Sequence, residues 1–151
     1  MKIELVSRAT AAEVSRIYAD SWKAAYRGIV PQSYLDQLSP DRWTDKLGNS
    51  GHTAFREDYV LLNDDGVRVA TSSICAARDP AFAHWGEIMS LYVRPEYYRH
   101  GYGRALFSFV SNRLETAGFS RQYLWVLENN ARARAFYETM DFRATENRTY
   151  W

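Results

Sequence analysis

The spacing of apolar residues changes several times along the chain, and each change marks an element. Residues 2 to 7 read as a short strand. Thr10 and Glu13 stand three apart, the reciprocal arrangement that caps a helix start, and Val14, Ile17, Tyr18, Trp22 and Ala25 follow as a helical stripe ending near Gly28. Pro31 suits the first position of a short helix in PQSYLDQL, and Ser39 before Pro40 starts another through about Leu47. After a loop of Gly48, Asn49, Ser50 and Gly51 the period shortens. Tyr59 to Leu62 and Val67 to Cys75 flank the turn signal NDDG and predict a hairpin. Glu87 to Val93 is a further strand, stopped by Pro95. Leu106, Phe109, Val110, Leu114 and Ala117 return to helical spacing before Gly118. Gln122 to Leu127 reads as a strand, Ala133, Phe136, Tyr137 and Met140 as a last helix, and Phe142 to Trp151 as extended chain.

This order predicts a single α/β (α+β) domain over residues 1–151, with a mixed sheet and helices packed on it. Neither a repeat nor a Pro/Gly/Ser-rich linker argues for a second domain. With 151 residues, 46% of them hydrophobic, the chain can bury one core. Its 19 basic and 18 acidic residues nearly cancel, which leaves no electrostatic footprint for nucleic acid or an anionic membrane, so any basic site is local. Cys75 is the only cysteine, which excludes an intrachain disulfide and a cysteine-rich zinc site. No signal-like apolar core opens the chain, and no run of about 18 apolar residues occurs. A cytoplasmic protein with no membrane partner is the expectation.

Two segments carry candidate chemistry. In YRHGYGRA, Gly101 and Gly103 permit a tight turn between a strand and a helix, where free backbone N–H groups and the helix dipole suit an anion, commonly phosphate. Alone, this pattern more often marks a plain glycine turn into a helix. The P-loop signature is absent, and the third glycine of a dinucleotide fingerprint is replaced by Leu106. In LWVLENNARARAFYETMDF, Asn130 can cap a helix on which Tyr137 lies about two turns further on.

In this order and spacing, LYVRPEYYRHGYGRAL and ENNARARAFYETMDF resemble the GNAT superfamily of acyl-CoA-dependent N-acetyltransferases, and SWKAAYRGIVPQSYLDQL is similar to the front end of many bacterial members. The resemblance implies a mostly antiparallel twisted sheet with helices on both faces, and splayed strands that form a coenzyme A cleft. It implies acetyl-CoA as cosubstrate, no metal, and a primary amine of a small molecule or protein as acceptor. Carried onto this sequence, it places Leu91, Tyr92 and Val93 beside the pantetheine, with a backbone N–H near Tyr92 or Val93 polarising the thioester. Arg99, His100, Gly101, Tyr102, Gly103 and Arg104 fall at the pyrophosphate, and Asn130 and Ala133 along the pantetheine arm. Tyr137 falls at the general acid position. Glu87 is the candidate base, with Glu128 second, and Trp22 and Tyr26 are candidate acceptor-pocket residues. Two positions depart from the pattern: Tyr98 replaces the usual Gln or Arg of the loop, and Asp141 the glycine before Phe142. Nothing remains to form the family's usual last strand, so the sheet is short or a second copy completes it as a homodimer. A non-catalytic acyl-CoA-binding module is an alternative reading. Nucleic-acid binding through Arg99, Arg104, Arg132 and Arg134 is a weaker one.

Overall fold

The computed structural model describes residues 1–48 and 54–149, so Asn49, Ser50 and Gly51 of the expected loop lie outside the described residues. One sheet is built from β1 (Lys2–Leu5), β2 (Arg56–Leu62), β3 (Arg68–Ala76), β4 (Gly86–Val93) and β5 (Gln122–Tyr123), in that spatial order. The first four strands run antiparallel, whereas β5 pairs parallel to β4. The helices are α1 (Ala11–Ala25), α2 (Gln32–Asp36), α3 (Tyr102–Thr116) and α4 (Ala131–Thr139).

Side-chain alternation explains why β3 is buried from Val69 to Cys75. On β2, Val60 turns toward α1 and packs with Val14 and Tyr18, whereas Leu61 turns toward α3 and packs with Leu106, Phe107, Val110 and Leu114. The central strands are therefore covered on both faces. Ile74 pairs with Ile88 and Ser73 with Ser90, so Met89 is an extra residue on β4, a β-bulge. The bulge resets the alternation: Ile88 and Leu91 both face the α3 core, while Ser90 and Tyr92 face α1.

The NDDG hairpin turn forms as expected, with the Asn63 side-chain oxygen accepting N–H bonds from Asp65 and Val67, both at 3.0 Å. Other details differ from expectation. Thr10 does not cap α1: its hydroxyl accepts from the Ser7 N–H (3.0 Å), and Glu13 accepts instead from Arg68 on β3 (2.8 Å). Residues 39 to 47 form successive turns rather than a helix, because Ser15 pins them: its hydroxyl donates to the Pro40 carbonyl (2.7 Å) and accepts from the Trp43 N–H (3.0 Å). β5 is two residues long instead of reaching Leu127; of the extended segment from Phe142 to Trp151, residues 142 to 149 form no strand, and Tyr150 and Trp151 lie outside the described residues.

Candidate functional site

The shortness of β5 creates the site. β4 and β5 share only the pairs Gly86↔Gln122 and Glu87↔Tyr123, beyond which the chains diverge and leave a cleft of about 1310 Å³. Its first wall is the end of β4 and the turn into α3. Gly101 sits before the helix with φ of +81°, and a Cβ there would meet nothing within 4 Å. Backbone conformation, not space, is what selects glycine. No side chain caps α3, and its first helical bond runs from the Ala105 N–H to the Gly101 carbonyl (3.1 Å). The N–H groups of Tyr102, Gly103 and Arg104 precede that bond, and all three residues line the cleft.

Arg99 lines the cleft too, in a left-handed conformation (φ 66°). His100 does not line it. Its Nδ1 lies 3.0 and 2.9 Å from the Tyr97 and Tyr98 carbonyls, and its ring stacks on Tyr102, so it locks the turn from behind. At the atypical position, the Tyr98 ring carries the Arg132 guanidinium 3.7 Å from its centroid, which links the turn to α4 across the cleft.

α4 forms the second wall. Asn130 caps it, accepting the Ala133 N–H on its side-chain oxygen (3.2 Å), and both residues line the cleft. The helix closes through Asp141, which adopts φ of +67° in place of glycine, with the Phe142 N–H bonded to the Tyr137 carbonyl (3.0 Å). Phe142 then packs on Phe107 (5.1 Å), which holds that turn in place. Tyr137 points inward, against Phe107 and Phe136. Burial raises its pKa far above the ordinary phenol value, and the Tyr26 hydroxyl adds to the rise, so Tyr137 is protonated at neutral pH; Tyr26 lines the same cleft.

The third wall is α1. Trp22 donates its Nε1–H to the Tyr92 hydroxyl (2.9 Å), Tyr26 lies 3.5 Å from that same oxygen, and the Trp22 and Tyr26 rings meet edge-on at 4.7 Å. Beneath them the Tyr18 hydroxyl joins Ser73 and Ser90, each at 2.7 Å. The Tyr92 ring thus belongs with Trp22 and Tyr26, while Leu91 and Val93 pack toward α3 and α4. Burial raises the Tyr92 pKa, with Tyr26 contributing.

Glu87 lies apart, 2% exposed, in a small pocket with Arg78, Asp79, Tyr123 and Trp125. One oxygen accepts from the Tyr123 hydroxyl (2.7 Å), Arg78 Nε (3.1 Å) and the Arg78 backbone N–H (3.2 Å); the other accepts from Arg78 Nη2 (2.5 Å). Burial alone would push its pKa up, but the bonds from Arg78 and Tyr123 outweigh burial and hold it below the usual carboxylate value. A carboxylate so engaged is a weak proton acceptor. Glu128 is mostly exposed at the cleft, 3.9 Å from Arg148. Arg78 and Tyr123 carried no sequence signal, since a 3-10 turn (Pro80–Phe82) and two separate strands bring them together.

The sequence profile of the acetyltransferase (GNAT) family matches residues 13–142, and the chain belongs to that family of acyltransferases. It is 28% identical over 118 residues to the uncharacterized N-acetyltransferase YuaI of Bacillus subtilis, a match covering 78% of this chain and 66% of YuaI. It is 38% identical over 65 residues to the [ribosomal protein bS18]-alanine N-acetyltransferase of Escherichia coli, covering 42% of this chain and 44% of that enzyme. The chain thus spans just under two thirds of the first of these relatives and less than half of the second. The PaiA N-acetyltransferase of Thermoplasma acidophilum, solved in complex with coenzyme A, superposes with a TM-score of 0.81 at 19% identity, over 98% of this chain and 94% of that one. Among the described residues, no helix is long and apolar enough to cross a membrane, and no group of three or more His, Cys, Asp or Glu could hold a metal ion.

Proposed function

We propose that the protein transfers the acetyl group of acetyl-CoA to a primary amine of a small molecule or a protein. The observation that carries this reading is one cleft lined by the uncapped α3 start, the Asn130 cap, Tyr137 and Tyr26. The pyrophosphate is received by the N–H groups of Tyr102, Gly103 and Arg104, with Arg99 and Arg132 adding charge. The Asn130 oxygen is taken by the helix, so its amide N–H2 is the group left for the pantetheine arm.

A β4 backbone N–H near Tyr92 or Val93 accepts the charge developing on the thioester oxygen. The neutral amine attacks the carbonyl carbon, the N–C bond forms and the C–S bond breaks. Tyr137 gives its proton to the departing sulfur, and the proton shed by the amine nitrogen passes through water in the open cleft back to the Tyr137 oxygen. Glu87 acts as a structural anion that anchors the start of β4, because both its oxygens are already bonded.

Both departures from the family pattern are accommodated, Asp141 by its left-handed turn and Tyr98 by holding Arg132, which favours the enzyme over a non-catalytic binding module. The reducing cytoplasm suits a chain with one buried, unpaired Cys75. The open edge beside the two-residue β5 is where a second copy would pair; a scattering mass of one chain at high concentration would count against the dimer.

Gly101→Ala tests the coenzyme wall. The left-handed conformation costs a β-carbon about 1–2 kcal/mol, so KM for acetyl-CoA should rise roughly 5- to 30-fold at nearly constant kcat. An unchanged KM would remove the α3 start from the coenzyme site. The reading as a whole is tested by thiol release from acetyl-CoA coupled to acetylation of an added amine.

A further inference from the structure

The amine end of the cleft has two aromatic walls, and the carboxylates beside the second of them, Glu87 and Asp79, are both engaged in hydrogen bonds. One wall is Trp22 and Tyr26 with the Tyr92 ring behind them. The other comes from the 3-10 turn and the chain leaving β5: Phe82 lies 5.3 Å from Trp85 and 6.2 Å from Trp125. The stacked pair Phe82 and Tyr123 (4.4 Å) supports that second wall. Tyr123 bonds Glu87, whereas its neighbour Leu124 packs into the α3 core, so the rings of this wall sit on the sheet face away from α3.

Trp125 is 37% exposed, one of only four large hydrophobic residues left so open among the described residues. A tryptophan held at the mouth of a cleft by ring contacts presents a flat face to whatever enters. The charges nearby point the same way. Glu87 is spent on Arg78 and Tyr123, Asp79 accepts the Ala81 N–H (2.9 Å), and Glu128 lies by Arg148. Of the charged residues lining the cleft, six are arginines (Arg99, Arg104, Arg132, Arg134, Arg143, Arg148) and four are acidic (Glu115, Glu128, Glu138, Asp141). Arg99 and Arg132 lie at the coenzyme end, so the amine end itself carries no cluster of carboxylates of the kind that recognises a polycation.

We propose that the acceptor is a monoamine with a flat aromatic body, an arylalkylamine in chemical class, whose ring lies between the Trp22–Tyr26 and Phe82–Trp125 walls while its amine reaches Tyr26 and Tyr137. This rests on the acetyl-transfer reading and deepens it.

The experiment is an initial-rate comparison with acetyl-CoA of phenethylamine, a straight-chain alkylamine, spermidine, an aminoglycoside and a peptide with a free N-terminal alanine. kcat/KM for phenethylamine should exceed that for the alkylamine by about tenfold, the worth of well-formed aromatic contacts. Trp125→Ala should collapse that ratio through KM for phenethylamine. The side chain is partly exposed, so a folded variant is expected, and circular dichroism checks it. Faster turnover of spermidine, the aminoglycoside or the peptide overturns the arylamine assignment and leaves acetyl transfer standing. So does an aryl preference unchanged in Trp125→Ala. Thiol release with none of the amines, although coenzyme A binds, overturns both.

Discussion

Tyr137→Phe should lower kcat for acetyl transfer by on the order of 10²–10³-fold, the usual worth of a positioned general acid, while coenzyme A still binds with nearly native affinity. The substitution keeps the ring that packs on Phe107 and Phe136, so the fold and the cleft wall survive and only the proton is lost. Burial, reinforced by Tyr26, raises the hydroxyl's pKa above the ordinary value of about 10, so native activity should show no alkaline decline from Tyr137 below that pH. Activity should instead climb through neutral pH as the amine, of pKa about 10.4, deprotonates. Rate measurements from pH 6 to about 10 on both proteins check this. A Phe variant with native kcat would remove Tyr137 from the chemistry.

Arg78→Ala should be the most destabilising single change outside the core. It leaves the buried Glu87 carboxylate with Tyr123 and one backbone N–H as partners. Breaking a buried pair costs about 3–5 kcal/mol, but the Arg78 side chain is 60% exposed and water screens part of the interaction, so about 2–3 kcal/mol is expected. For a domain of this size that lowers Tm by roughly 5–10 °C. Glu87→Gln keeps an acceptor for Tyr123 and should cost only about 1 kcal/mol.

The pH dependence follows from the sign of the shift. The folded-state pKa of Glu87 lies below its unfolded value, so the native state is favoured above about pH 4.3, the unfolded value, and that contribution is lost as pH falls through the folded pKa. Native protein should therefore lose more stability on acidification below about pH 4 than Glu87→Gln does. The same variant decides the role of Glu87 in turnover. A structural anion predicts kcat close to native, and a fall of 10²-fold or more would make it the base after all.

Periodicity carried most of the fold because the long elements bury one face each. The stripe from Val14 to Ala25 and that from Leu106 to Leu114 specified α1 and α3 unaided. It failed where tertiary contacts overrode local preference. Ser15 holds residues 39 to 47 in turns, Arg68 draws Glu13 away from Thr10, and the divergence of β5 from β4 cuts short a run that reads as six strand residues. The Gly101 turn and the Asn130 cap were legible because they are local: a glycine with positive φ and an asparagine cap each act within a few residues. The Arg78–Glu87–Tyr123 cluster and the Phe82–Trp125 wall were not, since each draws in a residue from beyond α3, with Tyr123 36 positions from Glu87. Glu87 looked catalytic by position, and only its partners show its charge to be committed.

Acetyl transfer itself is tested most directly by mixing the protein with acetyl-CoA and the amine panel, following free thiol and the mass of each amine together. One acetylated amine per thiol released, with both signals suppressed in Tyr137→Phe, is the predicted result. Saturable coenzyme A binding without thiol release from any amine would contradict it.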